Sequence, residues 1–75
     1  MTKGEYRVGI TFNPSNDDQV ARIKRAAADL IDLIEEIDPA FAEVGRLKAL
    51  AQTHVEDAAM WAVKAATKPA PEAII

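Results

Sequence analysis

The stretch Asn16-Asp17-Asp18-Gln19-Val20-Ala21-Arg22-Ile23-Lys24-Arg25-Ala26-Ala27-Ala28-Asp29-Leu30-Ile31-Asp32-Leu33-Ile34-Glu35-Glu36-Ile37-Asp38-Pro39 decides the fold. Val20, Ile23, Ala27, Leu30, Ile34 and Ile37 recur at alternating steps of three and four, which makes them the core stripe of a helix. Ile31, Leu33 and Ala26-Ala27-Ala28 widen the apolar arc beyond one seam. The start falls at Ser15 or Asn16. Asn16 with Gln19 has capping-box spacing, and Asp17 and Asp18 put negative charge where the helix dipole favours it. Asp38-Pro39 ends the segment, because the residue before a proline is pushed out of helical geometry. A helix over residues 15–37 is predicted.

On the C-terminal side, the same Asp38-Pro39 pair can open a second helix, Asp38 as N-cap and Pro39 at the first position. That helix is predicted over 38–67, with Val44, Leu47, Ala51, His54, Ala58, Trp61 and Ala65 on its core stripe. Gly45 weakens it by about 1 kcal/mol relative to alanine and marks a frayed start or a close crossing. Pro69-Ala70-Pro71 terminates it, leaving residues 68–75 as a tail. On the N-terminal side, Tyr6, Val8, Ile10 and Phe12 alternate with Arg7, Gly9 and Thr11, a strand signature stopped by Asn13-Pro14-Ser15-Asn16. No second strand follows, so residues 1–14 are predicted as an extended arm. The expected fold is mainly α: one domain over 1–75, an antiparallel two-helix hairpin with a short N-terminal extended arm, assembling as a homo-oligomer.

The oligomer follows from size. At 75 residues the chain forms one domain that buries only about 60% of its unfolded surface, and small domains often need a disulfide, a metal or a partner chain. There is no cysteine and a single histidine, His54, so disulfides are excluded and a structural zinc site nearly so. Both helices carry apolar residues on more than the one face they share. Self-association is the remaining remedy. Composition excludes further classes: 49% hydrophobic and 28% charged residues mark a globular chain, and no apolar run is long enough to span a membrane. The N-terminus Met1-Thr2-Lys3-Gly4-Glu5 has no signal-peptide apolar region, and the lack of cysteine is compatible with a reducing cytoplasm.

The net charge of −3 is unevenly spread. Lys3, Arg7, Arg22, Lys24, Arg25, Lys64 and Lys68 fall in the arm, the start of the first helix or the end of the second, which an antiparallel hairpin gathers at one end. Asp32, Glu35, Glu36, Asp38 and Glu43 mark the opposite end against only Arg46 and Lys48. Such a basic end suits a compact polyanion better than long nucleic acid, which would also meet the acidic end. Tyr6 and Phe12 lead into it, and aromatics beside cations can sandwich a base while the cations hold phosphates. The plainer reading pairs the cations with Asp18 and Asp29 at helical spacing and makes Phe12 a core plug.

Catalytic machinery is sparse. His54 and Asp57 have acid–base spacing, but His54 lies on the predicted core stripe, where a structural role is commoner. No Glu-x-x-His repeat indicates a carboxylate-bridged metal site, and Gly4, Gly9 and Gly45 are too isolated for a phosphate loop. Ser15 reads as a turn or cap. No enzyme, cofactor or metal is expected.

Three segments carry a resemblance: Val8-Gly9-Ile10-Thr11-Phe12-Asn13-Pro14-Ser15; Ile23-Lys24-Arg25 with Ala27-Ala28-Asp29-Leu30-Ile31-Asp32; and Thr53-His54-Val55-Glu56-Asp57-Ala58-Ala59-Met60-Trp61-Ala62-Val63-Lys64-Ala65-Ala66-Thr67-Lys68-Pro69. Together they resemble the phage anti-CBASS cyclic-nucleotide sponges, whose helical-hairpin domain is shared with a Thoeris-countering sponge. The resemblance implies a homohexamer in the host bacterial cytoplasm. It would sequester cyclic dinucleotides between protomers and cyclic trinucleotides in separate pockets at three-fold axes, without cleaving them. The family's ligand-contacting lysine in an Ile-Lys pair matches Lys24, beside Arg25. An aromatic in a Gly-Tyr-Arg segment corresponds to Tyr6, although Gly4-Glu5-Tyr6-Arg7 carries an inserted residue, so Phe12 competes for that role. A basic residue late in the second helix matches Lys64, which the resemblance assigns to the trinucleotide pocket. The alternative is a structural or adaptor hairpin docking a larger phage protein. A DNA-associated regulator fits less well, since the charge is negative and no recognition-helix pattern appears.

Overall fold

The computed structural model describes residues 1–71 and is helical throughout its regular elements: α1 (Lys3–Val8), α2 (Asp18–Glu35) and α3 (Ala42–Thr67). The long helices α2 and α3 form the antiparallel hairpin, and α1 folds back along α2. Of the 68–75 tail, residues 72–75 lie outside the described residues; Lys68 to Pro71 follow α3 without helical structure.

The extended arm is corrected. Residues Lys3–Val8 are helical because a stronger local signal overrides the alternation. Thr2 accepts a hydrogen bond from the Glu5 amide at 3.1 Å, and the Glu5 carboxylate accepts one from the Thr2 amide at 2.8 Å. This reciprocal capping box fixes the first turn. Gly9 ends the helix with φ +64°, and the Ile10 amide reaches back to the Glu5 carbonyl at 3.0 Å. A left-handed glycine closing a helix this way is a common stop. Alternating residues on six positions cannot outweigh both caps.

Other boundaries also move. The cap of α2 is Asp17, whose carboxylate accepts from the amides of Gln19 and Val20 at 2.7 and 3.2 Å, while Asn16 turns the chain with φ +50°. The helix ends at Glu35, and residues 36–41 form the connection. Asp38-Pro39 therefore sits in the loop, and α3 begins after Phe41 without a side-chain cap.

The buried stripe is rotated by one residue from the predicted one, about 100° of helix. On α2 the buried side chains are Val20, Lys24, Ala28 and Ile31; on α3 they are Gln52 and Ala59. Leu30 is 45% exposed, Trp61 56%, and His54 is exposed rather than in the core. The shift has a cause: two core positions hold polar residues, and both are satisfied. The Gln52 amide donates to the Ile31 carbonyl at 3.2 Å and to Glu35 at 3.0 Å, and its oxygen accepts from Lys3 at 3.1 Å.

The docking of α1 on α2 depends on Gly4, which is buried against the Ala28 carbonyl, while its amide donates to the Asp32 carboxylate at 2.7 Å. Arg25 bonds Glu5 at 2.9 Å, and Arg7 crosses to Glu56 of α3 at 2.7 Å. These contacts hold α1 over the seam between the two long helices.

Candidate functional site

The centre of the candidate site is Lys24. Its side chain is only 8% exposed, and its ammonium donates to the Gly9 carbonyl at 3.0 Å and to the Phe12 carbonyl. The same ammonium lies 5.5 Å from the centroid of the Phe12 ring. Lys24 thus ties the loop after α1 to α2, bonding the Phe12 carbonyl and sharing the Gly9 carbonyl with the Phe12 amide. An ammonium has three N–H donors, so one lies outside these two bonds.

Two clefts share this lysine. One, of about 310 Å³, is lined by Arg7, Val8, Lys24, Glu56, Ala59, Met60 and Val63. The other, of about 210 Å³, is walled by Phe12, Asn13, Pro14, Ser15, Val20, Lys24, Val63 and Thr67. Sites that enclose small organic ligands usually span about 300–1,000 Å³. Each cleft on its own is therefore at or below the size that would surround a cyclic dinucleotide. A larger hollow of 820 Å³ beside Tyr6, Lys3, Arg7 and Glu56 is open surface rather than an enclosure.

The five residues singled out in the sequence fall into three places. Lys24 and Phe12 meet directly. Tyr6 is 76% exposed on α1, across Arg7 from the Lys24 cleft. Arg25 is engaged by Glu5 and Asp29, both at 2.9 Å, and these two carboxylates hold its guanidinium above its ordinary pKa. Lys64 lies far along α3, with its ammonium 5.2 Å from the Trp61 ring centroid.

The single basic end is corrected as well. Because α1 turns back along α2, Lys3 lands on Glu35 at 2.9 Å, among the residues assigned to the acidic end. Arg22 pairs with Asp18 at 3.1 Å. The N-terminal pole of α2 is occupied by the Asp17 carboxylate. The Lys3 pairing depends on where α1 goes and leaves no trace in the charge pattern, whereas Arg22 with Asp18 and Arg25 with Asp29 are the helical-spacing pairs of the plainer reading. Trp61, on the predicted core stripe of the second helix, is instead on the surface.

Among the described residues no cluster of histidine, cysteine, aspartate or glutamate could hold a metal ion, and no helix is long and apolar enough to cross a membrane. Ser15 donates to Asn13 at 2.9 Å, as a turn residue does.

No curated protein and no solved structure matches the chain. One family pattern does: that of the Acb2/Tad1 hairpin domain, over residues 4–67, which takes in all of α2 and α3 and most of α1. A match over so much of the chain makes it a member of the Acb2/Tad1 hairpin family, the anti-CBASS and Thoeris-countering sponges that its three segments resemble.

Proposed function

We propose that the protein is a phage immune-evasion sponge that binds cyclic oligonucleotide messengers, dinucleotides and trinucleotides, in pockets closed between subunits, without breaking a bond in them. The observation that carries this reading is the family match over residues 4–67. The geometry supports it in two ways. Lys24 has a spare donor beside an aromatic ring, a pairing that suits a phosphate next to a base. The clefts at Lys24 are half-open, so a neighbouring subunit is what would complete them. A sponge needs only stacking, cations and closure.

Calorimetric titration with cyclic di- and trinucleotides tests this. Tight binding is expected, with less than one dinucleotide per chain and intact ligand recovered after the protein is denatured. Absence of heat with every cyclic nucleotide would overturn the reading in favour of an adaptor hairpin. Lys24→Ala is expected to weaken dinucleotide binding at least tenfold, the usual scale for a charge-assisted hydrogen bond. Loss of helicity in that variant would instead make Lys24 a purely structural clamp for the Gly9–Phe12 loop. Lys64→Ala should reduce trinucleotide binding more than dinucleotide binding, and equal losses would remove its separate pocket.

A further inference from the structure

Glu56 puts a negative charge into the wall of a site that otherwise suits phosphate. With Arg7 it lines both the cleft that holds Lys24 and the open hollow that holds Tyr6. Its side chain is 44% exposed. Arg7 Nε donates to Glu56 Oε1 at 2.7 Å, while Arg7 Nη2 donates to the Thr53 hydroxyl at 3.4 Å. The guanidinium thus engages one carboxylate oxygen rather than both. Arg46 and Glu43 of the same helix make the two-point fork instead, at 3.1 and 2.6 Å, as a closed arginine–carboxylate pair does. A carboxylate offers about four acceptor positions; the Arg7 bond takes one of them, and Oε2 lies outside it.

Anchoring α1 on α3 accounts for the Oε1 bond and leaves Oε2 without a task. Beside a phosphate a carboxylate is repulsive, unless what it meets is a hydrogen-bond donor. Nucleobases differ in this respect. The guanine edge presents N1–H and N2–H side by side, two donors that match the two oxygens of one carboxylate. Adenine sets its N6–H donor beside the N1 acceptor, and an ionised carboxylate has no hydrogen to give to N1. We propose that Glu56 is a specificity-determining residue of the Lys24 site: its carboxylate reads the edge of the bound base and favours guanine, while Lys24 takes the phosphate. This role deepens the sponge reading and rests on it, because the ligand is taken to be a cyclic nucleotide held at Lys24.

The full chain and Glu56→Gln are titrated by calorimetry with cyclic GMP–AMP and with cyclic di-AMP. The wild-type chain is expected to bind cyclic GMP–AMP about tenfold more tightly, the scale of one added pair of hydrogen bonds to a base edge. In Glu56→Gln the amide oxygen can still accept from Arg7, but the amide nitrogen meets the guanine donors with a donor of its own. The preference should therefore fall at least threefold, chiefly through weaker binding of cyclic GMP–AMP, with helicity by circular dichroism unchanged. If Glu56 only anchors Arg7, both ligands weaken by the same factor and their ratio is kept, which overturns the specificity role. Equal wild-type affinities for the two ligands overturn it without any variant, and leave the sponge reading standing. Absence of heat with every cyclic nucleotide overturns both.

Discussion

Gly4 shows how one position can decide whether an element docks. A Cβ built there would sit within 2.1 Å of the Ala28 carbonyl oxygen and 2.8 Å of the Asp32 carboxylate, so any side chain forces α1 off α2. Backbone cannot yield as a flexible side chain can. Gly4→Ala should therefore destabilise the protein by about 1–3 kcal/mol, the usual cost of overpacking. Gly45 is the internal contrast. Its nearest neighbour is the Pro39 side chain at 3.8 Å, its backbone is ordinary helix, and Gly45→Ala should stabilise by about 0.5–1 kcal/mol. Urea unfolding of the two variants is expected to move in opposite directions, and a neutral Gly4→Ala would mean that α1 is not docked as described. The sequence displayed Gly4 only as an isolated glycine, because a close approach to a residue twenty-four positions away leaves no local trace.

At the scale of elements, α2 and α3 were legible and α1 was not. The long helices announce themselves by periodicity sustained over several turns. Which of their faces is buried was misread by one residue, because Lys24 and Gln52 count as polar in any pattern yet sit in the core with their donors satisfied. For α1, six residues are too few for periodicity, and the capping box at Thr2 and Glu5 was the signal that mattered. Glu5 also makes α1 sensitive to acid. Arg25, and then the Thr2 amide, hold its carboxyl at about 2, against an ordinary value of 4.5. Glu35 is lowered too, by the Gln52 amide and then by Lys3, which anchors the start of α1. A carboxylate whose pKa is depressed by folding contributes its stabilisation above its unfolded value and loses it as pH falls through the folded one. The docking of α1 should thus weaken between about pH 4.5 and 2, while the α2–α3 hairpin, held by apolar packing, persists further. Amide chemical shifts of Lys3–Val8 followed by NMR across this range would show an early transition. Glu5→Gln keeps the capping geometry but removes the charge, and should shrink that transition; an identical acid profile would rule out Glu5 as its source.

At the scale of the molecule, the three helices make a slab rather than a globule. The Cα envelope measures 55 × 27 × 13 Å, so the molecule is long and thin. Its radius of gyration is 15.1 Å, where a compact chain of this length would have about 11 Å. With α1 covering one side only, the other side of the α2–α3 hairpin has no second layer over it. Opposite α1 the slab presents a shallow apolar groove formed by Ile23, Ala26, Ala27 and Leu30 with Val55, Ala58 and Ala62. Leu33, Leu47 and Leu50 are exposed near it along the same helices. This surplus was visible in the sequence as apolar arcs wider than one seam, and it is why the half-open clefts and the homo-oligomer belong to one proposal. Leu30→Glu is the decisive variant. It places a charge on a side chain already 45% exposed, so the hairpin itself should tolerate it and keep its helicity by circular dichroism. A charge trapped between two such grooves would be desolvated without a partner, which is strongly unfavourable. Light scattering after size-exclusion chromatography should give a multiple of 8.1 kDa for the wild-type chain and a clear shift toward 8.1 kDa for Leu30→Glu. Cyclic-nucleotide binding should fall in parallel, because the clefts lose the subunit that closes them. A wild-type chain that stays at 8.1 kDa at every concentration and still binds tightly would refute intersubunit closure, and the ligand would then have to be held by one protomer alone.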